Sequence, residues 1–189
     1  HDVWDFALPS APILVDITVD GRAIKAVAQP TKQGFLFVLD RTNGEPVWPI
    51  EERPVPQSDI PGEVTSATQP FPTKPPPFDR QGVSVDDLID FTPELRSRAE
   101  ELVTRYRMGP LFSPPSVATL DGTLGTLHLP GLTGGSNWPG GSFDPETGIF
   151  YQYSKTEVHS LGMVSNPQRS NMDYIMGRPR PPAGAARGR

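Results

Sequence analysis

The chain has 189 residues, long enough to bury a core, and its 18 glycines and 24 prolines point to a loop-rich folded chain rather than a low-complexity one. It has no cysteine, which excludes disulfides, thiolate metal sites and a cysteine nucleophile, and no apolar run of the roughly 18 residues that would span a membrane. The net charge of −5 includes four arginines in the last twelve residues, so the body is more acidic still and lacks the basic face that a nucleic-acid partner requires.

In chain order, Ile13, Val15, Ile17 and Val19 fall on alternate positions ahead of Asp20-Gly21, a type I′ turn signal, and the chain returns through residue 29. This predicts a β-hairpin. A further strand is predicted at 34–40, followed by the turn Arg41-Thr42-Asn43-Gly44 and a return through Val47 and Trp48. Residues 50–115 form an insertion of different composition. Its part from Arg53 to Phe78 is so rich in proline that it reads as an extended surface loop, since proline has no ladder donor. The PxxP-like text at 72–77 also leaves an SH3 or WW ligand open.

One helix is predicted near 93–107, with Thr92 as N-cap, Pro93 at the first position and an apolar stripe of Leu95, Ala99, Leu102, Val103 and Tyr106 whose expected role is packing. A third hairpin is expected at 116–129 about Asp121-Gly122, and two short strands at 141–153 about Asp144-Pro145-Glu146-Thr147-Gly148. The turns closing on Gly44 and Gly148 share a pattern: a strand ends in Asp, glycine closes the turn, and an apolar or aromatic strand returns. One such hairpin per unit is how a propeller blade looks in sequence. The expected organisation is propeller hairpins at 1–49 and 116–160, the insertion at 50–115, and a weakly structured basic tail at 161–189, disordered from about 178.

Other chemistry finds little support. His1, His128 and His159 are scattered in sequence, and no G-x-S-x-G, P-loop or Rossmann fingerprint occurs. By residue type alone, Asp5 after Trp4 could cap a turn and Lys32 could be a solvated loop lysine.

Four passages carry more: His1-Asp2-Val3-Trp4-Asp5, the stretch from Ala28 to Arg41 (AQPTKQGFLFVLDR), Arg53-Pro54-Val55-Pro56-Gln57-Ser58-Asp59, and Gly134-Gly135-Ser136-Asn137-Trp138-Pro139-Gly140. In these the chain resembles the pyrroloquinoline quinone (PQQ)-dependent dehydrogenases, within them the membrane-type glucose dehydrogenase-like branch. The likeness runs over about 1–155 and fades after residue 160.

The resemblance implies an all-β fold, two to three blades of an eight-bladed β-propeller whose remaining blades complete the enzyme. It implies Asp5 as the catalytic base, Lys32 as the cation at the quinone oxygens, and Asn137 and Trp138 as further cofactor-binding residues, with Trp138 also readable as a blade-packing aromatic. The implied activity is oxidation of a sugar or alcohol by hydride transfer to PQQ in the periplasm, with ubiquinone or a cytochrome as electron acceptor. The alternative is a non-catalytic propeller that serves as a scaffold or assembly protein. The hairpin independently predicts that Asp5 and Lys32 are neighbours, because both flanking segments leave from its open end.

A divalent ion, calcium or magnesium, is expected beside the quinone, with its ligands unassigned. In lanthanide-dependent relatives among the methanol dehydrogenases a second aspartate stands two residues after the catalytic one, and here that position is Ala7.

Overall fold

The computed structural model describes residues 3–180. The expectations for His1 and for the arginine-rich end beyond 180 lie outside the described residues. The first hairpin forms as the alternation predicts: β1 (Ile13–Val19) pairs antiparallel with β2 (Arg22–Pro30) from Val19↔Arg22 to Ile13↔Ala28. Asp20 and Gly21 take φ of 49° and 77°, the two left-handed residues of a type I′ turn. β3 (Leu36–Asp40) adds to β2, and the return appears as a bridge from Leu39 to Pro46 with the Val47 amide donating to the Val38 carbonyl at 2.9 Å.

The proline-rich stretch departs from expectation. β4 (Ile50–Pro54) and β5 (Thr68–Pro72) form an antiparallel ribbon in which Pro72, Pro70 and Pro54 pair with Ile50, Glu52 and Thr68. All three prolines fall on the same alternate rungs. The intervening parity carries the hydrogen bonds, as the flanking Thr73 N to Pro49 O and Val55 N to Ala67 O bonds show. Period-two spacing therefore turns each proline's missing donor away from the ladder, and the ribbon forms despite them.

Helix α1 (Pro93–Val103) is capped as predicted, the Thr92 hydroxyl accepting from the Leu95 amide at 3.2 Å, but it ends before 107. None of its residues is buried: Leu95 and Leu102 are exposed and Ala99 and Val103 half-buried, so the stripe expected to pack is only partly covered among the described residues.

The hairpin expected at 116–129 is not one. β6 (Ser116–Val117) and β7 (Thr126–His128) both pair with β10 (His159–Val164), parallel and antiparallel respectively, and β10 also takes β11 (Ile175–Met176). Residues 161–164, expected to be weakly structured, thus form most of the strand that β6 and β7 share. β8 (Gly141–Asp144) and β9 (Ile149–Gln152) form the last hairpin, as the sequence predicts.

The two Asp turns share one geometry. The Gly44 and Gly148 amides donate to the Asp40 and Asp144 carbonyls at 2.7 and 2.9 Å, with φ of 81° and 71° at the glycines. Asp40 Oδ1 accepts from the Thr42 amide and hydroxyl, while Asp144 accepts from the Glu146 amide and the Thr147 hydroxyl. These bonds to the charged form hold both carboxyls below the usual Asp range.

Two apolar clusters support the sheets. Val15, Ala26, Ala28, Leu36 and Val38 form one, on which Phe143 and Phe150 of the last hairpin pack. Trp4, Phe6, Phe35, Leu111 and Phe112 form the other. Among the described residues, four small sheets, no closed barrel and one α-helix make a largely β fold with strand faces and edges left open.

Candidate functional site

Trp4 and Phe6 are buried on either side of Asp5, and the Trp4 indole donates to the Ser113 carbonyl at 2.7 Å. Each large side chain contributes about 2 kcal/mol of burial, which fixes the segment's register. Asp5 and Ala7 consequently face outward. Asp5 has φ of 60°, a left-handed conformation that Asp tolerates better than most residues.

Lys32 leaves the end of β2 next to the fully buried Thr31, whose hydroxyl shares a tight turn with Phe35. Its ammonium lies 2.9 Å from Asp5 Oδ2 and 2.9 Å from the Asp5 carbonyl oxygen, so the predicted neighbours are in direct contact. The Lys32 side chain is 9% exposed and that of Asp5 68%. Lys32 spends two of its three protons on Asp5, and Asp5 Oδ1 has no partner among the described residues. An open carboxylate oxygen beside an enclosed cation with a proton to spare suits an acceptor-rich anionic group and a hydroxyl that must lose its proton.

The glycine loop closes over Lys32. Gly134, with φ of 77°, lies so close to Lys32 that a Cβ there would come 2.5 Å from Lys32 Cγ, and the Gly135 amide donates to the Lys32 carbonyl at 2.9 Å. Asn137 is turned into its own loop: Nδ2 donates to the Thr133 carbonyl and Oδ1 accepts from the Trp138 amide. It makes no hydrogen bond to Asp5 or Lys32. Trp138 is 80% exposed, so the described residues do not bury it as a core aromatic.

Sequence reasoning missed the groups that tie these segments together. The Ser10 hydroxyl meets the Ser136 hydroxyl at 3.0 Å and donates to the Asn137 carbonyl, the Gln29 amide donates to the Ser10 carbonyl, and Gln152 donates to Ser136 Oγ. Asp79 anchors the other side. Gln29 and Ser136 lay within recognised motifs, but nothing local marked Ser10, Gln152 or Asp79.

His128 and His159, scattered in sequence, are register partners across β7 and β10. Among the described residues no group of three His, Asp or Glu side chains is placed to hold an ion. His128 is 3% exposed, its Nε2 has no partner, and burial pushes its pKa down to about 4. No helix among the described residues is long and apolar enough to cross a membrane.

Comparison with known proteins places the site in context. The chain is 37% identical over 150 residues to the glycerol dehydrogenase large subunit of Gluconobacter oxydans, covering 78% of this chain and 20% of that protein. It is 40% identical over 151 residues to the quinoprotein glucose dehydrogenase of Escherichia coli, 77% and 17% of the two chains, and 38% identical over 148 residues to the quinate/shikimate dehydrogenase (quinone) of Acinetobacter baylyi, 77% and 18%. The chain thus spans about one-fifth of the length of these relatives. No solved structure matches it significantly. The model for the PQQ-type glucose/ethanol/alcohol dehydrogenase β-propeller domain matches residues 1–185, and with the open sheets and paired Asp turns it shows that the chain belongs to this β-propeller family as a partial propeller.

Proposed function

We propose that this chain is the segment of a larger quinoprotein dehydrogenase that supplies the proton-accepting carboxylate and the cation facing the quinone. The observation that carries the reading is the Asp5–Lys32 pair, with one carboxylate oxygen and one ammonium proton left uncommitted. When bound, PQQ supplies the acceptor for the hydride leaving the alcohol carbon. Asp5 accepts the hydroxyl proton at Oδ1, the oxygen that Lys32 leaves free. Lys32 holds Asp5 in place and offers its remaining proton, with a positive charge, where negative charge accumulates. The Gly134-Gly135 backbone screens the Lys32 stem from water, and Trp138 and Asn137 lie on the loop that continues from it.

The named relatives act on glycerol, glucose and quinate or shikimate, all polyhydroxylated, which supports a sugar or polyol as substrate. Electron transfer to ubiquinone or a cytochrome, a periplasmic setting and a calcium or magnesium ion held by the remaining blades complete the reading. The test is the full-length protein loaded with PQQ and calcium and assayed with a dye acceptor across glucose, other polyols and primary alcohols. Turnover with PQQ supports the reading. Activity with NAD instead, or failure to bind the quinone, would overturn it, the second result favouring a propeller scaffold.

A further inference from the structure

The insertion contributes one residue to the site from outside every motif. Asp79 lies at the end of the proline-rich stretch, in a segment bonded to the residues after Lys32: the Phe78 amide donates to the Gly34 carbonyl at 2.9 Å, and the Gln81 side chain donates to the Gln33 carbonyl at 2.8 Å. The Asp79 carboxylate then reaches a third segment, Oδ2 accepting from the Ser154 hydroxyl at 2.7 Å and Oδ1 from the Thr156 hydroxyl at 2.6 Å and the Arg80 amide at 2.7 Å. These hydroxyls lie just beyond β9, which leads back toward the glycine loop through the Lys155 amide bond to the Gly135 carbonyl at 2.8 Å.

Glycine makes the layering possible. A Cβ on Gly135 would come 2.8 Å from Asp79 Oδ2, one on Gly34 would come 3.2 Å from Asp79 Cβ, and one on Gly134 would overlap the Lys32 stem. The glycine pair is therefore a backbone sheet of single-residue thickness, with the Asp79 carboxylate on one side and Lys32 on the other. Gly135, which lies against Asp79, also donates its amide to the Lys32 carbonyl and so links the two residues.

We propose that Asp79 is a positioning residue that clamps the Gly34, Gly135 and Ser154–Thr156 backbones, and through the Gly134-Gly135 layer holds the Lys32 ammonium in place for the quinone. This rests on the assignment of Lys32 as the quinone-facing cation. Asp79 makes no hydrogen bond to Asp5 or to the Lys32 ammonium, so it acts on the site indirectly, and the proposed route runs through Lys32. That dependence separates it from a merely structural acid.

The test is a double-mutant cycle on the full-length apoprotein, read by titrating PQQ and following the quinone absorbance. Asp79→Ala should weaken PQQ binding about tenfold in the native background and less than about twofold when Lys32 is already alanine, because contacting or coupled residues are non-additive. Asp79→Asn, which keeps an acceptor and the shape, should recover most of the loss. If Asp79→Ala fails to fold, Ser154→Ala with Thr156→Ala removes the same anchors and carries the same expectation. Equal weakening in both backgrounds, or none in either, would overturn the inference. If Lys32→Ala weakens binding and the Asp79 variants do not, the inference alone fails. If Lys32→Ala binds PQQ normally, the assignment of Lys32 fails and the inference with it.

Discussion

Lys32 grips Asp5 twice, at 2.9 Å to the carboxylate and at 2.9 Å to the carbonyl of the same residue. A single ammonium thus sets both the side chain and the left-handed backbone of its partner. The two residues are one device, and their variants should differ in a defined way.

Asp5→Asn removes the proton acceptor but leaves the bulk and the acceptor oxygen that Lys32 holds. Turnover of the full-length protein should fall by roughly 100-fold or more while PQQ affinity is nearly preserved. Stopped-flow reduction of the quinone, alongside a PQQ titration, measures both.

Lys32→Ala removes the charge and also releases Asp5. Both PQQ affinity and turnover should fall, and the loss in turnover should persist at saturating PQQ because the carboxylate is no longer held. A loss confined to affinity would mean that Asp5 keeps its place without Lys32.

Gly134→Ala tests the backbone layer. Its φ of 77° and the 2.5 Å approach of the new Cβ to Lys32 Cγ leave no room, so the variant should be destabilised by roughly 1–3 kcal/mol and should bind PQQ more weakly. An undisturbed unfolding midpoint would show that the layer yields.

His128 should make stability depend on pH. Its pKa is about 4 when folded and near 6.5 when unfolded, so between those values the unfolded state binds more protons. Stability should hold above about pH 6.5, fall as the pH drops toward 4, and lose at most about 3 kcal/mol from this group. Denaturant midpoints from pH 7 to 4, compared with a His128→Leu variant that should lack this part of the slope, measure it.

Ala7, exposed like Asp5, offers no carboxylate, and a divalent ion is the expected partner of the quinone. Apoprotein reconstituted with PQQ should regain activity with calcium. Recovery with lanthanum alone would show that the missing charge at this position does not select the ion.

What the sequence determined by itself was local. The Asp20-Gly21 hairpin, the paired Asp turns and the Thr92 cap each depend on residues a few positions apart, and their periodicity and turn chemistry specify them without help. The meeting of Asp5 with Lys32 was legible too, because one hairpin register folds 27 residues of separation into contact. Tertiary structure decided the rest. Whether three prolines block a ladder depends on which rungs the partner strand offers, and the choice of β10 over a local turn for β6 and β7 depends on a strand more than 30 residues away. Asp79 carries no local signal at all: its partners at Gly34, Gly135, Ser154 and Thr156 are brought together only by packing, since a carboxylate's role is set by the donors that the fold delivers to it and not by its neighbours in the chain.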